Sequence, residues 1–141
     1  MNGVDIVITV KIFPTESVEK VQQAVQNLFP TSSMKLQSQQ LENHLHAKLN
    51  DKSGLTLFFV RLREQRILAA ARRVLRRGLA EKSVLFYLNK QAAFANRISF
   101  SEPVDELSLG AIKVHILCDD PEGMIDWLTL CSVSTEEKRI R

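Results

Sequence analysis

The chain has 141 residues, of which 45% are apolar and 25% are charged, and its net charge is +3. These values are typical of a globular domain and exclude a wholly disordered chain. No apolar run approaches the roughly 18 residues that a membrane-spanning helix needs, and Asp5 stands where a signal peptide would be basic. We therefore expect a cytoplasmic protein with a single domain over residues 1–130 and a charged tail over residues 131–141.

The first third of the chain alternates between strand and helix patterns. Val4–Phe13 interleaves apolar and polar residues with period two, which predicts a strand with one buried face. A helix is predicted between the capping residue Thr15 and the helix-breaking Pro30, because apolar residues recur there every three or four positions. Two short strands, Met34–Ser38 and Leu41–Leu49, come next, and the second has one polar face.

The middle of the chain is predicted to be helical. Leu55–Leu62 contains Phe and Val residues that also suit a strand, but a helix is favoured because the helical pattern that follows is continuous with it. Either this helix bends near Arg63, or Phe58, Phe59 and Leu62 pack on its other side. From Ile67 to Leu79 the apolar residues form one stripe at helical spacing. Gly78 is the expected end of this second helix.

The last third is predicted to be mostly strand. The continuous apolar run Val84–Leu88 predicts a central strand that is buried on both faces. The elements expected around and after it are a turn at Asn89–Ala93, a returning strand at Phe94–Phe100, a loop at Ser101–Gly110, a strand at Ala111–Leu117 and a helix from Pro121 to Leu130. The predicted order is β-α-β-β-α(α)-β-β-β-α, an α+β fold with an antiparallel-rich sheet packed by helices.

Positive charge is concentrated in one stretch, Arg61–Arg97. It holds ten of the nineteen Lys and Arg residues but only two acids, Glu64 and Glu81, so it carries +8 (10 − 2). Because the whole chain is +3, the remainder sums to −5 (3 − 8). Such a polarised distribution is typical of proteins that bind polyanions.

The second predicted helix carries much of this charge. A helix face that is merely solvated usually mixes acids with bases, whereas no acid lies between residues 66 and 77. The planar guanidinium group suits bidentate phosphate contacts. The candidate nucleic-acid-binding residues on this helix, opposite its apolar stripe, are Arg66, Arg72, Arg73, Arg76 and Arg77.

The predicted hairpin after Val84–Leu88 adds three candidates. Lys90 and Gln91 lie at its tip, where Lys suits a phosphate and Gln the edge of an adenine-like base, and Arg97 follows on the returning strand. An ordinary polar turn is the alternative interpretation. No exposed aromatic residue is identified on the sheet, which favours contacts to phosphate and to the shape of structured RNA over base stacking.

Catalytic and metal-binding patterns are weak. His44 and His46 share a strand face, but no third metal ligand is evident. Cys118 and Cys131 fit small buried hydrophobic residues better than reactive thiols. With neither a glycine-rich phosphate loop nor Ser–His–Asp spacing, the sequence predicts no catalytic residue, no metal site and no cofactor.

Five segments of the sequence carry a resemblance to known proteins: Pro14–Pro30, Arg63–Arg72 (REQRILAAAR), Phe86–Phe100 (FYLNKQAAFANRISF), Leu109–Val114 and Asp126–Leu128. They resemble an uncharacterised archaeal family of small proteins that are predicted to bind RNA and to associate with the exosome. The family's fold is similar to that of the ribosomal large-subunit protein that holds five-S RNA. The resemblance runs to about Leu130 and implies an RNA-binding α+β domain, with no catalytic residues to carry over.

These observations lead to one functional hypothesis and two alternatives. The leading hypothesis is a non-catalytic RNA-binding protein, accessory to RNA processing, whose arginines contact phosphates. The first alternative is an interaction module whose arginine face docks an acidic subunit of an RNA-processing complex, and the second is a small hydrolase or metal enzyme. No membrane partner is expected, and whether the chain forms a homodimer stays open.

Overall fold

The protein is described by a computed structural model that covers residues 4–30, 34–39, 42–101 and 111–130. The strands are β1 (Val4–Ile12), β2 (Met34–Gln39), β3 (Glu42–Leu49), β4 (Ser83–Asn89) and β5 (Ala111–Cys118). The helices are α1 (Val18–Leu28), α2 (Thr56–Glu64), α3 (Leu68–Arg77), α4 (Lys90–Phe94) and α5 (Pro121–Thr129), and a 3₁₀ turn, Lys52–Leu55, precedes α2. The single-domain α+β fold is therefore confirmed.

The five strands form one antiparallel sheet in the order β2-β3-β1-β5-β4. The β-branched β1 lies at its centre, between β3 and β5. Its even-numbered residues from Ile6 to Ile12 are buried, and its odd-numbered residues are half-buried. The alternation follows from the pleat, which turns successive side chains to opposite faces.

All described helices pack on one face of the sheet. Phe58 of α2 stacks between Phe29, which follows α1, and Phe86 of β4, with ring centroids 5.4 and 5.5 Å apart. Ala71 and Leu75 of α3 join the same core. On the opposite face, which we call the open sheet face, no described side chain is buried.

The junction between α2 and α3 is a sharp change of direction. Arg66 adopts a positive φ of 59°, a left-handed conformation that interrupts the helical hydrogen bonding. The bend predicted near Arg63 therefore falls three residues later. Gly78 ends α3 as predicted. A Cβ atom at Gly78 would overlap the carbonyl oxygen of Leu85 in β4, so only glycine permits this close approach.

Two predictions near β4 are wrong. Val84–Leu88 does not form a central strand, because β4 is an edge strand whose alternate residues are half-buried. Residues 94–100 do not form a returning strand either; a single bridge joins Phe100 to Leu88. The predicted turn at 89–93 is the start of α4, whose cap is the side chain of Asn89, which accepts a hydrogen bond from the Ala92 amide at 2.8 Å.

The predictions for the other elements are largely confirmed. The helix over residues 56–64 settles the choice between helix and strand for that segment. Ser17 caps α1 in place of the predicted Thr15, and Asp120 caps α5, which begins with Pro121. No described helix is long and apolar enough to cross a membrane. Most of the Ser101–Gly110 loop and the whole charged tail lie outside the described residues.

Candidate nucleic-acid interface

Two of the predicted arginines join α3 to α5. The guanidinium of Arg72 lies 2.8 Å from a carboxylate oxygen of Asp126 and donates to Oγ1 of Thr129 at 3.2 Å. One turn further along α3, Arg76 lies 3.9 Å from the carboxylate of Glu122. The acids that are absent from α3 are therefore supplied by α5, which packs against it. Arg72 and Arg76 already have anionic partners.

Arg73 and Arg77 form the other pair on α3, which we call the α3 arginine pair. Both are exposed, and they lie one helical turn apart on the same side of the helix. Within the described part of the chain, neither makes an ion pair or a side-chain hydrogen bond. Without an acid partner among those residues, the two neighbouring guanidinium groups repel each other, and such a pair attracts anions.

Lys90 is not at an exposed tip. Its side chain is only 7% exposed, and Nζ lies 3.0 Å from one Glu16 carboxylate oxygen and 3.1 Å from the other. Nζ also donates to the backbone carbonyl of Lys11 at 2.8 Å. These contacts tie α4 to the connection between β1 and α1. The neighbouring Gln91 is exposed.

A side-chain clasp joins the segment that contains Arg97 to the end of α2. The amide group of Gln65 accepts from the Ile98 N–H at 2.7 Å and donates to the Ile98 carbonyl at 3.0 Å. Arg66 directly follows Gln65 and Arg97 directly precedes Ile98 in the sequence, and both arginines are exposed. Neither pairs with an acid among the described residues.

A polar groove runs beside the clasp. Its lining includes Arg61, Glu64, Asn96 and Arg97. Arg61 forms an ion pair with Glu64 at 3.2 Å, while its buried Nε has no hydrogen-bond acceptor among the described residues. The groove therefore offers donors from two arginines beside a single carboxylate.

A second pocket, of about 330 Å³, lies along the outer edge of β4 and is called the β4 edge pocket. Its walls are mostly apolar, and Arg77 of the α3 arginine pair lies at its boundary. Two short segments already pair with β4 on this side. The Leu85 amide donates to the Gly78 carbonyl at 3.0 Å, and the Ser101 amide donates to the Tyr87 carbonyl at 2.9 Å. The pocket lies between these two contacts.

The open sheet face is a basic surface that was not predicted from the sequence. It carries Lys35, Lys48 and Lys113, which are exposed, and the half-buried ring of Tyr87. The polar side of β3 was visible in the sequence, but its alignment with the other strands depends on the pairing register. The Tyr87 ring lies on this face because its register pairs it with Lys113.

The groups considered for metal binding and catalysis are dispersed. No three His, Cys, Asp or Glu side chains in the described ranges form a metal-binding group. The rings of His44 and His46 lie 6.2 Å apart. Cys118 is buried, and burial raises the pKa of its thiol despite a backbone hydrogen bond at Asp120 that lowers it. That thiol is accordingly less reactive than an exposed one.

Comparison with known proteins gives a consistent result. Residues 5–118 match a family model described as RNA binding. A UPF0201 protein of Sulfurisphaera tokodaii is 42% identical over 124 residues, which cover 88% of this chain and 86% of that protein. A UPF0201 protein of Methanopyrus kandleri is also 42% identical, over 132 residues that cover 87% of this chain and 82% of the relative.

Solved structures share the fold. The crystal structure of a UPF0201 protein from Methanococcus jannaschii has a TM-score of 0.79 and 32% identity, covering 89% of this chain and 98% of that one. Mth689, a DUF54 protein from Methanothermobacter thermautotrophicus, is 17% identical and shares the fold alone, with a TM-score of 0.68 over 88% of this chain and 96% of its own. The chain therefore belongs to the UPF0201 proteins of archaea and to the family whose model is described as RNA binding.

Proposed function

We propose that this protein is a cytoplasmic, non-catalytic RNA-binding protein whose α3 arginine pair contacts phosphates of structured RNA. The observation that carries the proposal is the division of the α3 arginines. Arg72 and Arg76 have carboxylate partners on α5, whereas Arg73 and Arg77 have none among the described residues. A surface that keeps two like charges adjacent and uncompensated is suited to an external anion. Arg66 and Arg97 extend the proposed contact.

The mechanism is the release of counterions from the RNA backbone. Each phosphate neutralised by a protein cation contributes a slope of about −0.9 to the dependence of log affinity on log salt for a duplex. Phosphate contacts position the protein without reading sequence. Gln91, exposed at the start of α4, is the proposed contact to a base edge. Lys90, which neutralises Glu16, supports the fold of this region.

Fluorescence anisotropy of a labelled RNA hairpin, titrated at several salt concentrations, tests this proposal. Replacing both arginines (Arg73→Gln with Arg77→Gln) should reduce the magnitude of the salt slope by about 1.8. The matched control, Lys20→Gln with Lys82→Gln, removes the same two charges from exposed positions outside the α3 arginine pair. An equal loss of slope in both variants, or no binding by the wild type at low salt, contradicts the proposal.

The alternative partner is an acidic protein. The same arginines suit a carboxylate-rich surface. The resemblance suggests that such a surface belongs to an RNA-processing complex, for example the exosome, to which this protein would be accessory. A likeness to the five-S-RNA-binding fold belongs to the same proposal. If the α3 variant keeps its RNA affinity but no longer binds a polyglutamate peptide, the acidic-partner alternative is favoured.

A further inference from the structure

One row of side chains crosses all five strands on the open sheet face. From β2 to β4, the residues that the pairing registers align are Lys35, His46, Thr9, Lys113 and Tyr87. Neighbouring strands lie about 4.8 Å apart, so the row is about 19 Å long. None of its members is buried, and both lysines are exposed. We call it the lysine row.

The charges described on the open sheet face are mostly positive. The adjacent row contains Lys48 and His115, and Lys11 lies in the row on the other side. Among the side chains described on this face, Asp5 is the single acid, and it lies near the start of β1. A second copy docked on this face would oppose lysines with lysines, whereas a polyanion would neutralise them.

The chemistry of the row suits a nucleic acid with unpaired bases. Tyr87 offers an aromatic ring on which a base can stack, and His46 and Thr9 offer hydrogen-bonding groups at the centre of the row. Single-stranded RNA exposes base faces and edges that a duplex hides. Stacking on aromatic side chains and cationic contacts to the backbone are the two interactions by which flat surfaces bind such strands.

We propose that the open sheet face binds a single-stranded RNA segment that runs across the strands along the lysine row. Lys35 and Lys113 contact phosphates, and Tyr87 stacks on one base. This inference rests on the proposed function, since it assigns a second RNA surface to the same protein. The two surfaces differ in the RNA that they accept: the α3 arginine pair contacts a structured element, and the lysine row contacts an unpaired one.

The β4 edge pocket connects the two surfaces. Tyr87 and Arg77 both line it, so the row ends where the α3 arginine pair begins. The Tyr87 N–H faces this outer edge, as its carbonyl does, and finds no acceptor among the described residues. Leu85 and Phe100 provide apolar walls for a base that leaves the stack. A strand that follows the row can therefore continue towards Arg77.

Two RNA probes separate the surfaces: a labelled unstructured octanucleotide and a blunt hairpin. Lys35→Gln with Lys113→Gln should reduce the magnitude of the octanucleotide's salt slope by about 1.4, because each phosphate contact to a single strand contributes about 0.7. The affinity of this double variant for the hairpin should equal that of the wild type. The double variant Lys20→Gln and Lys82→Gln again controls for the loss of two charges.

Substitution of Tyr87 tests the stacking contact. Tyr87→Leu should weaken octanucleotide binding by about 5- to 150-fold, the range for one base stacked on one aromatic ring. The salt slope should not change. Tyr87→Phe keeps the ring and should retain wild-type affinity. Because the phenylalanine variant preserves the packing of β4, a loss in both variants would overturn the stacking role.

The outcomes distinguish this inference from the function on which it rests. If the octanucleotide binds the lysine variant as it binds the wild type, the lysine row is overturned while the hairpin result still decides on the α3 arginine pair. If neither RNA binds, both proposals fail. Sedimentation tests whether a second copy of the chain covers the face. If the protein is a dimer that the octanucleotide does not dissociate, and if Lys113→Gln does not change octanucleotide binding, the inference is overturned.

Discussion

Single side chains determine how much of the basic stretch is available to a ligand. Arg72 and Arg73 are adjacent in sequence, but the first is held 2.8 Å from Asp126 and the second is exposed. Lys90 carries a charge into a nearly buried site, where Glu16 balances it. A count of charges along the sequence treats these residues as equivalent, and only their tertiary partners separate structural cations from candidate binding cations.

The Lys90–Glu16 pair leads to a prediction about stability. Glu16→Gln should lower the free energy of unfolding by about 3 kcal/mol, because it leaves a buried ammonium group without its anion. Lys90→Met should cost less, since the remaining carboxylate is more exposed (18% against 7%) and still accepts from the Phe13 amide at 2.9 Å. Urea unfolding followed by circular dichroism measures both; a larger cost for Lys90→Met would show that packing of the lysine chain matters more than its charge.

Whole elements were predictable where local signals agree with tertiary placement. The period-two pattern of β1 and the helical stripe of α3 were found from the sequence because burial on one face imposes both. Val84–Leu88 is a strand as predicted but lies at the edge of the sheet, because a continuous apolar run is also compatible with an edge strand that has one half-buried face. Asn89, a favourable helix cap, was the available signal for α4.

The seam between α3 and α5 depends on packing between distant elements. Arg72 and Arg76 are four residues apart, as are Glu122 and Asp126, and the pairs align because the two helices run antiparallel. Each spacing was visible in the sequence. The sequence does not show that α3 and α5 are neighbours, because their proximity follows from the order of strands in the sheet. The sequence therefore predicts the positive charge of α3 but not which of its arginines have carboxylate partners.

Arg63 provides a test of this helix packing. Its guanidinium donates to the carbonyls of Leu128 at 2.9 Å and Leu130 at 2.8 Å, so it satisfies acceptors at the C-terminal end of α5. Arg63→Lys cannot reproduce this fork and should lower the free energy of unfolding by about 2 kcal/mol. Hydrogen exchange should show faster exchange in α5.

Arg61→Lys is the control for that substitution. Arg61 lies on the same helix, and its ion pair with Glu64 is at the surface, where such pairs contribute less than about 1 kcal/mol. Equal effects of the two substitutions on unfolding and on exchange in α5 would contradict a specific role for Arg63 at the end of that helix.

At the scale of the whole molecule, the fold separates two basic surfaces and joins them at one edge. The helices cover one face of the sheet, and α3 presents Arg73 and Arg77 on the outside of that layer. The lysine row lies on the opposite face. The β4 edge pocket, lined by both Arg77 and Tyr87, is the place where the two meet. If both proposals hold, an RNA that combines a stem with an unpaired extension contacts both surfaces without a long spacer.

This geometry predicts that a hairpin with a single-stranded extension binds more tightly than either part alone. Once the stem is bound, the extension binds at an effective concentration of about 1 mM, which can raise the affinity by about 10² to 10⁴. A flexible polyethylene glycol spacer between stem and extension should reduce this gain, because the effective concentration falls as the linker lengthens. In the lysine-row variant, Lys35→Gln with Lys113→Gln, the extended hairpin should bind only as tightly as the blunt one. Anisotropy titrations of the three RNAs at one salt concentration measure the gain, and equal affinities for the blunt and extended hairpins in the wild type would show that the two surfaces do not act on one RNA.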